Sequence, residues 1–87
     1  MKIERHYECV EDYLVNRRDE WVKIYEVYAY GGNDLNIWYF SSLVDAKSYA
    51  SIRKNIGLVD DTYIKELHCY IDKVGIIWVR YIHTIDD

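Results

Sequence analysis

Proline is absent from this chain of 87 residues, and cysteine and glycine are scarce, at two and four. Without proline there is no rigid linker and no proline-rich recognition segment. Cys9 and Cys69 lie far apart and are too few for a disulfide framework, so they read as free, buried thiols. No apolar run approaches the roughly 20 residues of a membrane span. Met1-Lys2-Ile3-Glu4-Arg5-His6 lacks the apolar stretch of a secretory signal, and a cytoplasmic protein is expected. Catalytic signatures are missing too: there is no Gly-x-Ser-x-Gly elbow and no glycine loop for phosphate. Ser41, Ser42, Ser48 and Ser51 are accounted for by capping and helix surface, and Asp60-Asp61 and Asp86-Asp87 by solvation. The sequence therefore reads as no enzyme, with no cofactor. Bases are in deficit, eleven against fifteen acids, for a net charge of −4. That argues against nucleic acid as a direct ligand, because phosphate contacts need a positive field, and it permits a basic protein partner.

What the chain has in abundance is aromatic rings, with ten tyrosines and three tryptophans. Residues 1–87 fit a single domain, which at this size buries about 60–65% of the surface of its unfolded chain. The segments Trp21–Tyr30, Ile37–Phe40, Tyr63–Ile71 and Ile76–Ile85 read as strands by their β-branched and aromatic content. A sheet with one wet face alternates apolar and polar residues. Here rings and branched residues fall on both parities, so both faces need cover, from the chain's own helices or from a partner.

Residues 3–16 read best as an amphipathic helix, since Ile3, Tyr7, Val10 and Leu14 make one stripe of a 3.6-residue period. The rival is a strand, because Tyr7, Cys9, Glu11 and Tyr13 share a parity. Arg17 and Arg18 suit the negative pole at the end of such a helix. Gly31-Gly32-Asn33-Asp34 is a hairpin turn. Ser42 caps a second helix, with Asp45 in a capping-box-like place, Ala46, Tyr49 and Ala50 on one face and Gly57 as its stop. Asp72-Lys73-Val74-Gly75 is a second hairpin loop. The expected fold is α+β: an N-terminal helix, then β-β-α-β-β with a four-stranded antiparallel sheet. The second helix is expected over Tyr25, Val27, Ala29, Trp38, Phe40, Leu67, Cys69 and Ile71. The other face would carry Ile24, Tyr28, Tyr30, Ile37, Tyr39, Ile64 and Tyr70, partly covered by the first helix.

Three constellations bear on function. His6, Cys9, His68, Cys69 and His83 are zinc-ligand types, but His68 and Cys69 point to opposite strand faces, so no metal site is expected. Tyr28, Tyr30, Tyr39, Tyr70 and Trp78 are the best interaction candidates, since tyrosine and tryptophan dominate binding hot spots. The plain alternative is a second small core under the N-terminal helix. Glu4, Glu8, Glu11 and Asp12 would climb one flank of that helix about 5–6 Å apart, near the charge spacing of a nucleic acid strand. A solvated helix face is the plain alternative here.

From Tyr25 to Asp72 the chain resembles a recurring kind of small bacteriophage protein. The resemblance lies in the strand Lys23–Tyr30, the helix entry Phe40-Ser41-Ser42 and the helix face at Ala46, Tyr49 and Ala50. Usage rich in lysine, isoleucine, tyrosine and asparagine also fits AT-rich phage genomes. Such proteins include inhibitors of host defence systems, anti-CRISPR proteins among them. The resemblance implies a host (bacterial) protein as partner, bound in the host cytoplasm by occlusion of its nucleic-acid site. It supplies no functional residues. The alternative expectation is a self-associating structural or regulatory domain, a homodimer through the open sheet face.

Overall fold

A computed structural model describes residues 2–7, 10–55 and 61–85. The elements are β1 (Lys2–His6), α1 (Glu11–Val15), β2 (Val22–Gly31), β3 (Asp34–Phe40), α2 (Leu43–Asn55), β4 (Asp61–Ile71) and β5 (Ile77–Ile85). They form an α+β domain with one five-stranded sheet in the order β1-β3-β2-β4-β5. β1 runs parallel to β3, and the other neighbours are antiparallel, so the sheet is mixed.

The strand-strand-helix-strand-strand order from β2 onward is as expected, but neither the N-terminal helix nor the four-stranded antiparallel sheet is: β1 adds a fifth, parallel strand. Residues 2–6 are a strand and only Glu11–Val15 is helical. Of the expected stripe, Val10 and Leu14 are buried, whereas Ile3 is 54% exposed. The reason is backbone pairing. Without β1, the outer edge of β3 would present unpaired N–H and C=O groups, and a strand satisfies them where a helix cannot. The register Lys2↔Asp34 to His6↔Trp38 also lays rings on rings. His6 stacks on Trp38 at 4.0 Å, and Tyr7 on Tyr39 at 4.7 Å.

Both hairpins form where the turn residues place them. Gly32 takes φ 59° in the β2–β3 turn, and Gly75 φ 96° before β5. Asp72 ties the second loop, its Oδ1 accepting from the N–H groups of Val74 at 3.0 Å and Ile76 at 2.9 Å. Ser42 caps α2, its Oγ accepting from the Asp45 N–H at 3.4 Å. The expected stop at Gly57 lies outside the described residues.

β2 is the central strand, and its apolarity on both parities follows from a core on each face. Above it, α2 packs Ala46 and Ala50 against Val27, Phe40 and Ile64, with Tyr25, Trp38, Tyr49 and Ile85 around them. Below it, Val10 and Leu14 pack on Ile24, Leu67, Cys69 and Ile71. This corrects the expected facing of β4. Leu67, Cys69 and Ile71 lie on the α1 side, and Ile64 lies under α2. The register Val27↔Ile64 and Ile24↔Leu67 pairs odd positions of β2 with even positions of β4. A one-residue offset of this kind flips every side chain, and strand content alone does not reveal it.

Candidate functional site

The α1 side of the sheet carries the most distinctive surface. α1 is five residues long, too short to roof a sheet whose β4 and β5 run eleven and nine. A groove of about 360 Å³ remains beside it, lined by Tyr7, Val10, Leu14, Val15, Ile71 and Ile77. It adjoins a cavity of about 270 Å³ that reaches Cys69, Val79, Tyr39 and the carboxylate of Glu26. The outer wall is β5. Its register Ile71↔Ile77, Cys69↔Val79 and Leu67↔Tyr81 turns these three toward the α1 side. They are 49%, 55% and 58% exposed.

A belt of tyrosines crosses the same face. Tyr28 stacks on Tyr63 at 4.9 Å, and Tyr30 meets Tyr63 edge-on at 6.1 Å. Lys65 stands opposite Glu26 on β4 and holds its Nζ 4.6 Å from the Tyr28 ring and 5.8 Å from that of Tyr81. Glu26, buried between β3 and β4, accepts hydrogen bonds from the hydroxyls of Tyr28 and Tyr39. Desolvation, then Glu26, pushes Tyr28 up to about 12 and raises Tyr39 further. Burial likewise pushes the Cys69 thiol up to about 11, so it is protonated near neutral pH and a poor nucleophile. These groups donate hydrogen bonds and offer apolar area; they do not assemble a nucleophile with a base.

The structure splits the sequence's aromatic set. Tyr28, Tyr30 and Tyr39 share the α1 face. Tyr70 and Trp78 stand opposite each other on the α2 face of β4 and β5. There Trp21 lies 5.2 Å from Tyr70, Arg80 sits 3.8 Å from the Trp21 ring, and Trp78 Nε1 donates to Asp72 Oδ2 at 3.1 Å. Tyr70 donates to Asp19 at 3.1 Å.

The acidic stripe does not form as a helical flank. Glu4 is on β1, 2.7 Å from Lys2, whose ammonium holds its carboxyl below the usual range. Glu11 opens α1, and Asp12 is exposed on it. Glu8, like Cys9, lies outside the described residues. The stripe needed one helix from residue 3 to 16, and the strand ends at His6.

Sequence reasoning passed over Glu26 and Glu66. An acid amid apolar neighbours in a central strand was the available signal. Glu66 is buried on the α2 face, 3.2 Å from His83 Nδ1 and 3.8 Å from Lys23 Nζ, and accepts from Tyr25 at 3.3 Å. Among the described residues no three His, Cys, Asp or Glu side chains gather as metal ligands. Nor is any helix among them long and apolar enough to cross a membrane.

Fold and surface together define a small α+β domain with a two-sided core, an apolar groove beside a stunted helix, and a bare strand at one end of the sheet. Compared with known proteins, the chain matches no family model, no curated protein and no solved structure.

Proposed function

We propose that this chain is a protein-binding module without catalytic activity, a phage-type inhibitor that occludes a bacterial defence or nucleic-acid-processing protein in the host cytoplasm. The observation that carries the reading is the groove beside α1: apolar, open among the described residues, and lined by Tyr7, with Tyr39 in the adjoining cavity. Contiguous exposed apolar surface rimmed by polar groups marks interaction sites, and tyrosine supplies hot spots at small entropic cost. Net charge of −4, with Glu26 at the floor of the adjoining cavity, suits a partner that offers an apolar anchor beside a lysine or arginine. The phage-like segment from Tyr25 to Asp72 directs the choice of partner. Blockade is steric, because Glu4 on β1 and Glu11 and Asp12 on α1 do not line one acidic flank.

The test is capture of the partner, followed by its nucleic-acid affinity with and without this chain. Occlusion predicts competition, and Val15→Glu in the groove wall weakens it about tenfold or more. A captured partner that binds nucleic acid equally well in its presence would overturn the reading.

A further inference from the structure

The two ends of the sheet differ sharply. β1 is short, and Lys2, Glu4 and Arg5 put charge on three of its five residues. Charge and brevity are how edge strands avoid pairing with other chains. β5 has neither protection. It runs nine residues, Ile77–Ile85, and its only full charge is Arg80. Among the described residues its outer backbone edge faces no other strand of the sheet. A bulge opposite Glu66/Leu67 interrupts only the latter half, leaving the stretch up to Tyr81 regular.

We propose that β5 pairs antiparallel with β5 of a second copy of this chain, about a two-fold axis at Val79, making one ten-stranded sheet. Three observations select this occupant and register. The first is self-complementarity. A two-fold axis normal to the sheet must pass through a residue that faces itself. Centring on Val79 sets Ile77 against the copy's Tyr81, an aliphatic-aromatic cross-strand pair made twice. Centring on Arg80 would oppose two guanidiniums. The second is charge complementarity. With Val79 on the axis, Arg80 stands opposite the copy's Trp78, whose indole is bonded to Asp72 at 3.1 Å. A cation thus meets a ring face and a carboxylate, on the side where Arg80 already lies over Trp21. The third is area. Ile76, Ile77, Trp78, Val79, Tyr81 and Ile82 are each exposed by 38 to 58%. With ordinary side-chain areas they hold roughly 600–700 Å², one partner's share at the lower bound of specific interfaces. Ile77 and Val79 also wall the groove and its adjoining cavity, whereas Tyr7 and Val15 lie away from the axis; the pairing is argued from β5 alone and does not rest on the function proposed above.

Sedimentation equilibrium of the purified chain in the micromolar range tests this. The expected mass is twice 10.5 kDa, falling to 10.5 kDa in Val79→Lys with the melting profile of a folded domain retained. Opposed residues in an antiparallel pair lie within disulfide reach. Cys69 is the intrachain residue opposite position 79, so it is removed along with Cys9. Val79→Cys in a Cys9→Ser, Cys69→Ala background therefore crosslinks to a covalent dimer on mild oxidation, while Val44→Cys in that background, on the outer face of α2, does not. A wild-type chain that sediments at 10.5 kDa overturns the proposal, including one that uses β5 for an unrelated protein. So does a dimer that survives Val79→Lys, or one in which Val79→Cys fails to crosslink.

Discussion

Glu26 is an acid on a mainly apolar floor, made tolerable by two phenols. A buried carboxylate costs several kcal/mol unless its lone pairs are occupied, and Tyr28 and Tyr39 occupy them. Glu26→Leu leaves both hydroxyls without their acceptor, so the expected loss is about 2–3 kcal/mol in urea unfolding. Glu26→Gln keeps an acceptor and loses less. The same pair sets an alkaline limit. Tyr28 moves from the ordinary 10 to about 12, so the fold favours its neutral form. That stability is whole below pH 10 and is lost as pH climbs from about 10 to 12. Phenolate absorbance should show a class of tyrosines titrating late, with near-UV circular dichroism collapsing as they do. Loss of one late-titrating phenol in Tyr28→Phe, with that of Tyr39 retained, would identify the group. Titration of all tyrosines near 10 in the folded protein would contradict the assignment.

α1 holds its place through very little. Its five residues have no side-chain cap at Val10, and Arg17 supports the far end by donating to the Tyr13 carbonyl at 3.3 Å. Val10 and Leu14 are its buried anchors, so Leu14→Ala should cost about 2–4 kcal/mol in denaturant melts. Val44→Ala on the exposed side of α2 should stay within about 0.5 kcal/mol. A cost for Leu14→Ala as small as that for Val44→Ala would mean α1 does not roof the core. β2 to β5 and α2 were legible because turn glycines, a capping serine and β-branched runs are local signals that agree with the fold. β1 was not, since Ile3, Tyr7, Val10 and Leu14 keep helical spacing although a strand and a helix share them. Pairing with β3, some thirty residues downstream, decided the matter, and no local pattern records it. The site was half legible: rings are foreseeable as the surface's substance, but the facing of β5 is open in the sequence, and Tyr70 is expected away from α2 without the β4 register, which sends it, with Trp78 opposite, to the α2 face. Glu26 was readable as an acid out of place in a central strand and was passed over.

At the scale of the molecule, 41 × 26 × 20 Å, a single sheet separates two thin cores, and the chain's modest charge must keep bare apolar surface in solution. The sequence isoelectric point is near 5.3. Turbidity on acidification should therefore peak around that pH, where repulsion between molecules vanishes. Val79→Lys should reduce that peak by charging the uncovered edge; an unchanged profile would place the sticky surface elsewhere. The parallel partnership of β1 with β3 carries a consequence for synthesis. The ribosome releases β1 well before it makes β3, and parallel strands cannot be joined by a tight turn. The newborn segment must wait, held by nothing, while the β2–β3 hairpin closes behind it. β1 can dock only once that hairpin exists, and as a short edge strand its amides should trade hydrogen for deuterium well ahead of those of β2.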